Sequence, residues 1–246
     1  YVTSTVLMAF SLVFISGCVT QQFVLGADNQ AKERVLDTRE AAMARLKLGL
    51  EYLHTGNTAS AKLNLDRALA IEPNLDGIHA SFAYYYQRVG EHEKANTSYL
   101  EALSQFPNNA NTRNSYGAFL CEQKKYEKAN SQFVIAIESQ ANTSLANSYE
   151  NAGLCALRDN NWSRAKLHLS KVLGYEHRRA RSILGLSTAN LETNDLVNAN
   201  KYLADYRKLY AQTPQSLWLA IQIEQKSNNH ELANTLGILL KSKYPK

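Results

Sequence analysis

The sequence predicts an all-α protein, a solenoid of about six helix–turn–helix repeats, and three observations carry that prediction. The first is a column of alanines. Ala61, Ala95, Ala129, Ala165, Ala199 and Ala233 follow one another at intervals of 34, 34, 36, 34 and 34 residues. A fixed period of this length marks stacked supersecondary units, none of which can bury its apolar face alone. The second is that other columns keep the same phase. Twelve residues before the alanines stand Gly49, Ala83, Gly117, Gly153 and Ser187, all small; four after them stand Leu65, Tyr99, Phe133, Leu169 and Leu203, all large and apolar. The third is composition. Of 246 residues, 45% are apolar and 20% charged, which excludes a disordered chain. Eleven Gly and four Pro are few for an all-β protein with many tight turns.

In chain order, the first segment reads as an address. Val6 to Ile15 is a run of ten uncharged residues, the size of a signal-peptide h-region. A membrane-spanning helix needs about 20. The following Ile15-Ser16-Gly17-Cys18 resembles the bacterial lipobox. That resemblance implies removal of residues 1–17 and a diacylglyceryl group on the Cys18 thiol; the alternative is a signal peptide with an incidental cysteine. Val19, where inner-membrane lipoproteins of enteric bacteria carry Asp, implies the periplasmic face of the outer membrane. Tyr1 is preceded by no Met or basic residue, so the signal is expected to start further upstream. Residues 18–41 read as the lipidated cysteine and a tether. A helix is expected to begin at Asp37, with Glu40 three residues on, as in a capping box.

The six repeats fall at 42–75, 76–109, 110–145, 146–179, 180–213 and 214–246. Two antiparallel helices approach closely where facing positions are small. Gly49 is therefore expected to oppose Ala61 and Ala68, and Gly117 to oppose Ala129 and Ala136. The large column should fill the gap against the neighbouring hairpin. The turn inside each repeat falls at Gly56, Gly90, Lys124, Asn160, Asn194 and Asn228; all but Lys124 are residue types that tolerate a left-handed backbone at a helix C-terminus. Pro73 and Pro107 should end the second helices of the first two repeats. Repeat five departs from the pattern with Asn190 where Tyr52 and Tyr86 stand earlier. Repeat six carries Ile221 in the small column and Gly237 in the large one, as expected of a terminal repeat that caps itself. The pattern resembles the tetratricopeptide repeat, which implies a right-handed superhelix whose first helices line a concave surface; an irregular helical bundle is the other reading.

Nothing in the sequence points to catalysis, a metal or a cofactor. The histidines His54, His79, His92, His168, His177 and His230 form no H-E-x-x-H and no pair at i, i+4. No phosphate-cradling glycine loop and no G-x-S-x-G is present. The net charge of +5 comes from 27 Lys+Arg interspersed with 22 Asp+Glu, which is no strong argument for a nucleic-acid partner, and the compartment implied by the signal argues against one. The densest basic run, His177-Arg178-Arg179-Ala180-Arg181, sits between repeats four and five. It reads either as a solvated loop or as a site for an acidic partner or phospholipid head groups.

Cys121 and Cys155 remain once Cys18 is assigned. Both lie in the first helix of adjacent repeats, where the thiols can meet, and the implied compartment is oxidising. A disulfide between repeats three and four is one reading; two separate small buried residues are the other.

By repeat phase, the concave surface should carry Leu46, Leu50 and Leu53, then Ala80, Tyr84 and Gln87, then Asn111, Asn114 and Ala118, then Asn147 and Glu150. Its N-terminal third is apolar and its middle amide-rich. That suits a peptide with hydrophobic anchors whose backbone bonds to the asparagines. Burial of the three leucines under residues 28–40 is the alternative. The strings Asn114-Ser-Tyr-Gly-Ala-Phe-Leu-Cys121 and Glu150-Asn-Ala-Gly-Leu-Cys-Ala156 resemble segments of the type IV pilus biogenesis and stability lipoproteins, the PilF/PilW family. The resemblance spans essentially the whole chain. It implies a non-enzymatic, outer-membrane-anchored pilotin, whose partner is the pilus secretin and which has no small-molecule substrate. A scaffold for another outer-membrane or peptidoglycan assembly machine, with the same repeats, stays open.

Overall fold

Why the chain folds as hairpins is visible at the turns. In the computed structural model, which describes residues 27–245 and their side chains from Thr38 onward, all six turn residues have a left-handed backbone. Their φ angles are +80° at Gly56, +82° at Gly90, +58° at Lys124, +56° at Asn160, +59° at Asn194 and +59° at Asn228. Each reverses the chain between a first and a second helix. The pairs are α1 (Ala27–His54) with α2 (Thr58–Ile71), α3 (Ile78–Arg88) with α4 (His92–Gln105), and α5 (Ala110–Glu122) with α6 (Tyr126–Glu138). They continue as α7 (Leu145–Arg158) with α8 (Trp162–Tyr175), α9 (Ala180–Glu192) with α10 (Leu196–Leu209), and α11 (Pro214–Lys226) with α12 (His230–Lys243). No strand occurs among the described residues.

Caps set several helix starts. The side chains of Asn57, Asn109, Asn161 and Asp195 each accept from the backbone N–H three residues on, satisfying a donor the helix leaves free. Thr213 and Ser216 form a reciprocal capping box ahead of α11, with Pro214 at the first helical position. Pro73 and Pro107 stand two residues beyond the last residues of α2 and α4.

The expected start at Asp37 is not where the helix begins. Helix α1 already runs from Ala27, so Asp37 and Glu40 lie inside it, and the expected tether is helical over residues 27–41. The segment 27–41 holds no Gly or Pro, so nothing breaks the helix before the repeat. The signal segment 1–17, Cys18 and Val19 lie outside the described residues.

Inside each hairpin the close approach differs from the expected one. A Cβ on Gly49 would stand 2.9 Å from Leu65 and 3.4 Å from the Ala61 carbonyl oxygen; one on Gly117 would stand 2.7 Å from Phe133. The small column thus makes room for the large column of its own repeat more than for the alanines. Leu169 shows why. It sits between Gly153 of its own repeat and Gly185 of the next, and Cβ atoms there would lie 2.5 and 2.7 Å from it. One large side chain therefore joins two hairpins.

Neighbouring first helices pack side by side at α1/α3, α5/α7, α7/α9 and α9/α11, while α3 and α5 approach each other least. An aromatic cluster stands at that junction. Tyr99 of α4 has its ring centroid 5.2 Å from Tyr116 and 5.5 Å from Phe119 of α5, all three buried. One junction further on, a disulfide joins Cys121 of α5 to Cys155 of α7, with Cα atoms 5.9 Å apart.

Candidate protein-binding groove

The gap left between α3 and α5 is a cavity of about 460 Å³. Leu50 and His54 of α1, Ala80 and Tyr84 of α3 and the edge of Tyr99 give it an apolar and aromatic side. Asp76, Asn109, Asn111, Thr112 and Ser115 give it a polar one. The loop before α3 enters through Gly77, whose φ of +85° turns the chain into the helix. Asn109 holds the polar side in place: its Nδ2 donates to Asp76 Oδ1 at 3.2 Å while its Oδ1 caps the Thr112 N–H at 2.9 Å. The rings of His54 and Tyr84 have centroids 6.2 Å apart and are tilted by 49° to each other. Below them the Tyr99 hydroxyl donates to Gln87 Oε1 at 3.2 Å, and Gln87 Nε2 donates to Glu122 Oε2 at 2.6 Å. Burial raises the Tyr99 phenol far above its usual range, so it stays a neutral donor. The side chains of Asn111 and Ser115 make no hydrogen bond among the described residues and remain free to bond a ligand's backbone.

Of the residues expected on the concave surface, Leu50, Tyr84 and Asn111 line this one cavity, with Ala80 between them. Leu46 lies beside it, half-buried against Gly77. Leu53 is a correction: it is fully buried, packed in the core of the first two repeats, because its phase points it at the neighbouring hairpin rather than the groove. Gln87 is spent on Tyr99 and Glu122. Asn114 accepts from Asn151 Nδ2 at 3.2 Å, joining α5 to α7. Asn147 is exposed in a separate cavity of about 300 Å³ with Tyr175 and Arg179. Glu150 is a second correction. It is buried, accepts from Ser182 Oγ at 2.7 Å, and pairs with Arg179 at 3.5 Å and Arg181 at 3.8 Å. It joins repeats four and five and offers nothing to a ligand.

Sequence reasoning placed Asn111 on the polar side but missed Asp76, Asn109, Thr112 and Ser115. Asp76 and Asn109 precede first helices, so the periodicity of helix faces does not reach them; the residues Asn109 and Thr112, at cap spacing, carried a usable signal. Among the described residues no cluster of His, Cys, Asp and Glu could hold a metal ion, and no helix is long and apolar enough to cross a membrane.

Comparison with known proteins bears on what such a groove serves. The tetratricopeptide-repeat family matches residues 98–129. The type IV pilus assembly protein PilF of Pseudomonas aeruginosa is 32% identical over 234 residues, which is 95% of this chain and 90% of that one. The chain belongs to the PilF family. It is a tetratricopeptide-repeat protein of type IV pilus biogenesis. The solved structure of Pseudomonas aeruginosa PilF matches with a TM-score of 0.76 at 31% identity, over 85% of this chain and 94% of that one. The fold is shared with PilW, described as a widely conserved type IV pilus biogenesis factor, at a TM-score of 0.77 and 21% identity over 83% of this chain and 94% of that one.

Proposed function

We propose that the protein is a lipid-anchored adaptor on the periplasmic face of the outer membrane that captures an exposed segment of the type IV pilus secretin and promotes its multimer assembly. Membership of the PilF family supports a role in pilus assembly. The observation that carries the binding mode is the groove, with Leu50 and Tyr84 on one wall and the free amide of Asn111 on the other. It suits an apolar side chain flanked by peptide backbone. Acyl chains on Cys18 supply membrane affinity at about 0.8 kcal/mol per buried CH₂, and two or more make the anchoring stable. Held at the membrane, the groove raises the local secretin concentration, an effect that needs no bond chemistry.

The test replaces Leu50 and Tyr84 together with Glu. Both are only partly buried, so the helical fold should survive, as circular dichroism would report. Heat-resistant secretin multimers and surface pili should be lost while the variant still fractionates with the outer membrane. Normal amounts of secretin multimer in a strain lacking the protein would rule the reading out.

A further inference from the structure

Charge is distributed unevenly along one edge of the solenoid. Every second helix ends and every following first helix begins on the same side, so residues 72–77, 106–109, 139–144, 176–179 and 210–213 share that edge. The first of these loops carries Glu72 and Asp76, and the next two carry no charge. From repeat four onward the edge turns basic. Arg178 and Arg181 flank the start of α9, Arg207 and Lys208 close α10, and Lys241 and Lys243 close α12. Cations in a last turn complement the helix dipole. Yet α2, α4, α6 and α8 end without one, so helix termination does not require them.

Local pairing uses only part of this charge. Arg179 is clamped by Glu176 through two hydrogen bonds of 2.6 and 2.8 Å, and Lys208 meets Asp205 at 3.0 Å. Arg178, Arg207 and Lys241 form no side-chain hydrogen bond or ion pair among the described residues. The same repeats also expose apolar surface. Leu173, Ile183, Tyr202 and Leu209 line a cleft of about 280 Å³ rimmed by His177, Lys208 and the Asp205 that pairs with it, and Tyr175 is 58% exposed. The Tyr244 hydroxyl donates to the Gln212 carbonyl at 2.6 Å, so the end of α12 continues the same surface.

We propose that the edge of repeats four to six is a docking surface for an anionic phospholipid bilayer. Arg178, Arg207 and Lys241 meet head-group phosphates, with Tyr175 and Leu209 at head-group depth. The three unpaired cations come from three successive repeats. Mobile phosphates can satisfy such separated charges without a fixed register, which an acidic peptide would have to match. Basic side chains beside tyrosine and leucine suit the zone between water and acyl chains. The groove is built from α1 to α5, so a partner can occupy it while the edge rests on lipid.

The test uses the full chain with Cys18→Ser, so that no acyl chain contributes. It compares binding to phosphatidylcholine vesicles with binding to vesicles holding about one third phosphatidylglycerol. The apolar leader adds to both, so the readout is the ratio of the two affinities. Each cation near an anionic surface is worth about fivefold, so Arg178→Gln, Arg207→Gln and Lys241→Gln together should lower the ratio about a hundredfold. The same loss of charge at the opposite edge, by Arg88→Gln, Lys125→Gln and Lys128→Gln, should leave it nearly unchanged. Added salt should erase the wild-type preference. No preference in the wild type, or equal losses in the two triple variants, would overturn the proposal. So would binding of a polyglutamate peptide through Arg178, Arg207 and Lys241 by a chain indifferent to the vesicles.

Discussion

His168 is a buried histidine whose ring nitrogen Nδ1 has no hydrogen-bond partner among the described residues. It lies on α8 with the Tyr149 ring at 5.9 Å, and burial first, then the positive charge of Arg164, lower its pKa below the usual value. The folded protein therefore holds it neutral where the unfolded chain begins to protonate it. Stability is unaffected well above about pH 6.5 and declines as pH falls from there toward the lower folded value, by at most about 1.4 kcal/mol per pH unit for one proton. His168→Leu should flatten that part of the curve; denaturant titrations of both proteins at pH 7.5 and below about pH 6 would check it. An unchanged difference between the two proteins across that range would remove His168 as the cause. Lys124 shows a different residue-scale departure: its φ of +58° keeps the turn that glycine or asparagine makes in the other five repeats. Geometry common to all repeats imposes that conformation against the side chain's own preference.

At the scale of the helix pair, repeat six exchanges the bulk of its two columns. Ile221 is buried in α11 where the other repeats carry a small residue, and Gly237 in α12 replaces the large one. A Cβ on Gly237 would meet nothing within 4 Å, so packing does not require glycine there. Gly237→Ala should stabilise the protein by about 0.5–1 kcal/mol through helix propensity, a rise in Tm of about 1–4 °C. Gly153→Ala should do the reverse, since its Cβ would press on Leu169 at 2.5 Å and on the Leu169 backbone nitrogen at 3.2 Å. Thermal unfolding of both variants checks the pair, and the same sign of shift in each would refute the packing argument. These columns were legible in the sequence because every repeat imposes the same steric demand at the same phase. What was not legible depends on tertiary direction. Leu53 has the periodicity of a groove residue but faces the next hairpin, and Glu150 is drawn into a buried bond with Ser182 from 32 residues away. Helix α1 hid its start for the converse reason: Asp37 and Glu40 have cap spacing, but nothing upstream stops the helix.

Over the whole molecule, two neighbouring junctions are built in opposite ways, and together they set the groove. Tyr99, Tyr116 and Phe119 pack α4 against α5 beside the cavity where α3 and α5 stand apart, and Cys121–Cys155 draws α5 to α7. In a solenoid each repeat contacts only its neighbours, so stability is close to a sum of repeat and interface terms. The bridge is a covalent link across one such interface. It closes a loop with a sequence separation of 34, which the chain-entropy model values at about 3–4 kcal/mol. Replacing both cysteines with alanine should therefore lower stability by roughly that amount. Both sulfurs are buried, and small residues keep the helix contact, so the helical content should stay. The loss falls on the junction between repeats three and four, so unfolding should become less cooperative, with repeats one to three separating from four to six. Denaturant unfolding followed by circular dichroism, with amide exchange read on either side of the junction, would show two transitions where the oxidised protein shows one. A single transition at unchanged midpoint would mean that Leu169-type packing between hairpins, and not the bridge, couples the two halves.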